Sequence, residues 1–131
     1  MATAIDSALS GLAGASRRIE VSASNIANQS STSTQVNGVT TNTPYIPQDV
    51  VQISLGAGGI RTDVHDTNNP IVQTLDPNSP QADENGFVAS PNVDTADEMV
   101  KMQIASYDFK ANLKTIQVYN RMQQNLLDML S

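Results

Sequence analysis

Chemistry would have to start from a few positions in this chain. The only histidine, His65, stands in Asp63-Val64-His65-Asp66, an imidazole between carboxylates, which are donor types that a transition metal accepts. In a strand, alternation puts Asp63 and His65 on one face and Asp66 on the other, so three ligands do not converge there. Gln81-Ala82-Asp83-Glu84-Asn85-Gly86 looks like the first half of a calcium loop with Gly in sixth place. Its twelfth place is Asn92, where such a loop needs a bidentate Glu. Gly56-Ala57-Gly58-Gly59 lacks the spacing and the following helix of a phosphate loop, and reads as a hairpin turn. The paired carboxylates Asp97 and Glu98 open a helix, where capping explains them. Many serines share one histidine, and none stands in a nucleophile motif. With no Cys there is no thiolate chemistry, disulfide or Cys-ligated zinc. No catalytic residue, cofactor or metal site is expected, and the chain does not read as an enzyme.

The elements that would position any site are clearer. Ile5, Leu12, Ile19 and Ile26 recur every seven residues, with Ala8, Leu9, Ala15 and Ala23 on the same side, which predicts an amphipathic helix over 2–28. Gly11 and Gly14 each cost it about 1 kcal/mol relative to Ala, so the helix needs a partner. The small residues Ala8, Gly11, Ala15 and Ala23 would admit a close neighbouring helix. From Asn28 to Thr43 nearly every residue is Ser, Thr, Asn, Gln or Gly, which predicts a mobile linker. Val51, Ile53 and Leu55, then Ile60, Thr62 and Val64, alternate with polar residues about the glycine turn and predict a hairpin. Ile71 to Leu75 and Gly86 to Ala89 read as further short strands among Pro- and Asn-rich turns.

Thr95-Ala96-Asp97-Glu98 has the pattern of a capping box with Thr95 as cap. No Gly or Pro follows as far as Leu130, which predicts one helix of about 35 residues, roughly 52 Å. It carries two apolar stripes: Met102, Ala105, Phe109, Leu113, Ile116, Tyr119, Leu126, Leu127 and Leu130, and then Val100, Ile104, Tyr107, Ala111, Val118, Met122 and Met129. The first helix can cover one. The other implies further protein subunits.

Length and charge narrow the classes. A chain of 131 residues is domain-sized, and five aromatic residues without Trp allow only a thin core. A net charge of −6 is the wrong sign for nucleic acid or anionic lipid. No window resembles a membrane span or a cleavable secretory signal. Residues 62–100 hold eight acids and no base, whereas from Lys101 onward four bases face two acids. That asymmetry fits a solvated acidic surface, or charge-matched stacking of one copy's middle on another copy's last segment.

Three short runs carry a family resemblance. Ala23-Ser24-Asn25-Ile26-Ala27-Asn28 resembles the Asn-x-Ala-Asn signature of bacterial flagellar rod and hook proteins. Gly86-Phe87-Val88, then Pro91-Asn92-Val93-Asp94 and Glu98-Met99, resembles the approach to the terminal helix in the C-type proximal rod protein (FlgC) family. Phe109-Lys110-Ala111-Asn112 resembles that family's aromatic-x-Ala-Asn motif. The family commonly has Tyr where Phe87 and Phe109 stand, and often Arg where this chain has Tyr107.

The resemblance implies a structural subunit of the flagellar basal-body rod, the drive shaft across the envelope, assembling by helix packing and transmitting torque. It implies a location in the basal body within the periplasm, reached through the flagellar type III apparatus without a cleaved signal. Implied partners are the B-type and F-type rod proteins, the rod-to-ring adaptor, the surrounding ring and neighbouring copies. The expected fold class is α+β, with long N- and C-terminal helices packed as a coiled-coil-like pair and a small middle region containing a β-hairpin. The expected divisions are 1–28 for the first helix, 29–47 for a polar linker, 48–94 for the β region and 95–131 for the last helix, with the two helices forming one inner domain. Subunit contacts are expected at Ile5, Leu9, Leu12, Ile19, Asn25, Ile26 and Asn28 of the first helix. On the last they are expected at Val100, Ile104, Tyr107, Phe109, Ala111, Asn112, Leu113, Ile116, Tyr119, Leu126, Leu127 and Leu130. The alternatives are a secreted acidic binding module and a divergent rod- or hook-type axial paralogue.

Overall fold

Two helices and three two-stranded sheets make up an α+β chain, in a computed structural model that describes residues 2–33, 35–36, 39–40, 44–56 and 58–130. Helix α1 spans Ala2–Asn28 and α2 spans Thr95–Leu130. They run antiparallel. Arg18 Nη1 donates to Asp108 Oδ2 at 2.7 Å, Gly11 lies against Asn112, and Thr95 Oγ1 meets Gln29 Oε1. On this register α2 runs about two turns, roughly 12 Å, past Ala2.

The centre of the α1 face is small. Ala8, Ala15, Val21 and Ser22 are buried, while Ile5, Leu12, Ile19 and Ile26 flank them half-buried. A Cβ on Gly11 would come within 2.7 Å of the Asn112 side chain, so glycine here permits the close helix approach. Ala23, expected on the same face, is exposed.

Parts of the linker, expected to be mobile, form backbone pairs. Strand β1, Gln35–Val36, pairs antiparallel with β2, Val39–Thr40. Ser33, only 1% exposed, exchanges backbone hydrogen bonds with Ala89, and Ser31 Oγ accepts from the Tyr45 amide at 2.9 Å. In these parts backbone pairing stands in for the apolar burial that their side chains could not supply. Residues 34, 37–38, 41–43 and the Ala57 of the glycine turn lie outside the described residues.

Strand β3, Gln48–Ser54, pairs antiparallel with β4, Ile60–Asp66. Val50 faces Val64, Gln52 faces Thr62 and Ser54 faces Ile60, and this side packs on α1: a Cβ on Gly14 would meet Gln52, Ile60 and Thr62 within 2.9 Å. Val51 and Ile53 pair with Asp63 and Arg61 on the other side and remain exposed, as does Leu55. The row of Val51 and Ile53 and the row of Ile60, Thr62 and Val64 therefore lie on opposite faces, because the register sets Val51 and Ile53 against Asp63 and Arg61, and Ile60, Thr62 and Val64 against Ser54, Gln52 and Val50. The turn closes over α1, where Ser10 Oγ accepts from the Ile60 amide at 3.1 Å. Strand β5, Ile71–Leu75, pairs antiparallel with β6, Phe87–Pro91, whose Val88 and Ala89 are buried.

The cap of α2 is Asp94, not Thr95. Asp94 Oδ1 accepts from the amides of Ala96 at 2.9 Å and Asp97 at 3.3 Å, and the Asp94 carbonyl accepts from the Glu98 amide at 3.0 Å. A cap carboxylate bonded to the second and third helical amides leaves the Thr95 hydroxyl free to turn to Gln29. Glu98, expected to close the box, pairs with Lys101 instead.

Candidate functional site

The helix pair carries the surfaces through which a structural subunit would act, and its two ends differ in construction. At the base, where α1 ends and α2 begins, Asn25 is 1% exposed. Its Nδ2 donates to the Gln48 carbonyl at 2.8 Å, and its Oδ1 accepts from the Gln48 amide at 3.0 Å and the Tyr45 hydroxyl at 2.9 Å. A single side chain thus holds α1 to the start of β3. Asn25 was expected at a subunit contact, and all three of these partners are in its own chain. Asn28, expected likewise, is exposed, with Nδ2 donating to the Ser24 carbonyl at 2.8 Å. Tyr45 and Gln48 were missed, because nothing local in their sequence marks a partner twenty residues earlier.

Beside this network lies a cleft of about 150 Å³ between α1, β3 and α2, lined by Arg18, Ser22, Asp49, Glu98 and Lys101 among others. Lys101 Nζ reaches Glu98 Oε1 at 2.9 Å and Asp97 Oδ2 at 3.0 Å. Burial pushes the Lys101 ammonium down, but its hydrogen bonds to Glu98 and Asp97 outweigh this and hold it above its usual value of 10.5. The charges compensate one another, which is what a helix junction requires and gives no reactive group. Around His65, Asp63 pairs with Arg61 at 2.8 Å and His65 itself is exposed. In the calcium-like loop, Asp83 Oδ1 accepts from the amides of Asn85 and Phe87 and so closes a turn. Among the described residues no group of three His, Cys, Asp or Glu side chains could hold a metal, and no helix is long and apolar enough to cross a membrane.

The structure divides the expected contact residues into three sets. Ala105 is buried against α1, with Met102, Phe109, Asn112, Ile116 and Tyr119 half-buried along the same face. On α1, Ile5, Leu12, Ile19 and Ile26 border this seam, and a shallow groove between Ile19, Met99, Met102 and Ser106 remains open. The second set faces outward: Val100, Ile104, Tyr107, Val118 and Met122 are 45–60% exposed, and Ala111 is exposed too. Leu9 and Leu113 are exposed at the edges. The third set is the overhang, where Leu126, Leu127 and Leu130 were expected to continue the covered stripe. They are 47–86% exposed, because α1 has ended before it can reach them.

Comparison with known proteins agrees with this architecture. The family described as flagellar basal body rod FlgEFG protein C-terminal matches residues 84–129, which hold β6 and nearly all of α2. The flagellar basal-body rod protein FlgC of Salmonella typhimurium is 36% identical over 123 residues, covering 89% of this chain and 88% of the relative. FlgC of Yersinia enterocolitica is 37% identical over 117 residues, covering 85% and 84%. FlgC of Borreliella burgdorferi is 29% identical over 147 residues, covering 98% and 96%. The chain belongs to the FlgC family of flagellar basal-body rod proteins and is a structural subunit of the rod, not an enzyme.

Proposed function

We propose that the antiparallel α1/α2 pair is the packing unit with which this subunit enters the rod, and that the outward stripe of α2 is its main contact. One observation carries this reading. The α1 side of α2 is already occupied, yet Val100, Ile104, Tyr107, Val118 and Met122 leave a second apolar row open along the same helix. A helix apolar on two sides has two neighbours to satisfy. The half-buried border of Ile5, Leu12, Ile19 and Ile26, together with Leu9, Leu113 and the overhanging Leu126, Leu127 and Leu130, would meet further subunits around and along the rod.

The partners on this reading are the B-type and F-type rod proteins, the rod-to-ring adaptor, the surrounding ring and copies of this chain. The site of assembly would be the periplasm, reached by type III export without cleavage. The test replaces the chain in a motile strain with an Ile104→Asp, Val118→Asp variant. Swimming and the amount of the chain in purified basal bodies should both fall to background, while secretion of the chain is retained. Normal swimming and normal incorporation would exclude the stripe as a contact.

A further inference from the structure

The cations of this chain are used unevenly. Arg17 pairs with Glu20, Arg18 with Asp108, Arg61 with Asp63, and Lys101 with Asp97 and Glu98. Lys110 rests over the Tyr107 ring at 5.7 Å, a contact that leaves its charge uncompensated. Lys114 and Arg121 have no carboxylate partner among the described residues. No acid occurs between Phe109 and Leu127. Steps of four and seven residues place Lys110, Lys114 and Arg121 on one side of α2, and Tyr107, Ala111, Val118 and Met122 run beside them, exposed. This surface is basic along one edge and apolar along the other.

The outer end of the β5–β6 hairpin has the opposite charge and the same mixed character. Leu75 and Phe87 face each other across the strands, and both are exposed. The loop between them holds Asp76, Asp83 and Glu84. Asp83 is spent on closing its own turn, while Asp76 and Glu84 are exposed and lack a cation among the described residues. An apolar pair flanked by two free carboxylates matches an apolar row flanked by free cations. The hairpin belongs to the base, bridged through Ser33 to the end of α1. Lys114 lies more than five turns, about 28 Å, along α2 from Thr95, so a chain's own hairpin is not positioned to cover its own stripe.

We propose that the β5–β6 tip of one copy docks on the Lys110–Arg121 stripe of a second copy, with Leu75 and Phe87 against Val118 and Asp76 and Glu84 against Lys114 and Arg121. This rests on the reading of the chain as a rod subunit and names one of its contacts. Complementary charge at such a rim sets register and partner choice more than raw affinity, so the contact would fix how successive copies are offset. It would also weaken with salt, because its pairs are exposed.

The chain has no cysteine, which makes thiol cross-linking specific. A Glu84→Cys, Lys114→Cys double variant should give covalent dimers and higher ladders of this chain in purified basal bodies under mild oxidation, and neither single variant should. In parallel, Lys114→Glu with Arg121→Glu should lower rod yield about fivefold, the scale of two exposed ion pairs. Adding Asp76→Lys and Glu84→Lys to that variant should restore the yield to within about twofold. Basal bodies that contain the double-cysteine chain at normal level but give no copy-to-copy product would overturn the docking while leaving the rod reading intact. A cross-link to a different protein, or a product within one chain, would overturn it equally. Absence of the chain from basal bodies altogether would count against the rod reading itself.

Discussion

At the base of the helical pair, Asn25, Ser33, Val88, Ala89 and Glu98 are buried; the Asn25 and Glu98 side chains have partners in the same chain, and Ser33 is held through its backbone. From about three to five turns further along, the same two helices bury only small residues, Ala15 and Ala8, against each other. Away from that junction α2 turns Ile104 and Tyr107, and further along Val118 and Met122, to the outside, and its last two turns have no α1 beside them. The base is completed by its own chain, and on the proposed reading the outward face of α2 is left to neighbours. A subunit built this way can keep a fixed junction while its assembly surface gains full order only in the rod.

The largest test of that contrast is at the base. Asn25→Ala would strip hydrogen bonds from the half-buried Gln48 backbone and from the Tyr45 hydroxyl, costing about 3 kcal/mol. A fall in the urea midpoint at unchanged slope would register it; a midpoint within error of the parent would mean that the junction is not held by this residue.

Next comes Asp94→Ala, which removes the cap of α2 and should cost about 1 kcal/mol in the same measurement. If the box expected at Thr95 were the real cap, this variant would be nearly silent.

A smaller effect follows from Lys101. Its folded value is raised above 10.5 by Glu98 and Asp97, so its contribution is fully present below 10.5 and is lost as pH climbs through the higher folded value. The ammonium is partly solvated, which limits the effect to about 0.5 kcal/mol. Unfolding midpoints taken between about pH 9 and 12 should fall more steeply for the parent than for Asp97→Asn, Glu98→Gln. Equal slopes would remove the pair from the stability of the junction.

On the outward face of α2 the expected change in the free chain is close to zero. Ile104→Asp, at a site already 47% exposed, should move the unfolding midpoint by less than about 0.5 kcal/mol while abolishing incorporation into rods. A large loss of stability in the isolated chain would show that the stripe is buried within the subunit and erase the distinction between the base and the outward face. Smallest of all, His65→Ala should leave stability and motility unchanged; a severe defect would demand a role that an exposed imidazole beside a salt-bridged Asp63 does not explain.

The two helices, the hairpin turn and the family were legible in the sequence because they rest on local rules: apolar spacing at 3.6 residues, an uninterrupted run from Thr95 to Leu130, turn glycines, and three short motifs in order. The second apolar stripe was legible for the same reason, since periodicity shows how many faces a helix must bury without needing to know against what. Other features depended on contacts between distant segments. Whether Asp94 or Thr95 caps α2 turned on Gln29 being there to take the Thr95 hydroxyl. The pairing of Ser33 turned on the free backbone of Ala89 opposite it. Which hairpin row faces α1 turned on the strand register, and which α2 leucines are covered turned on where α1 ends. Sequence by itself determined the elements and the surplus of apolar surface, because both follow from neighbours along the chain. Tertiary structure alone decided which of that surface is covered, because burial depends on the partner that another part of the chain brings to each face.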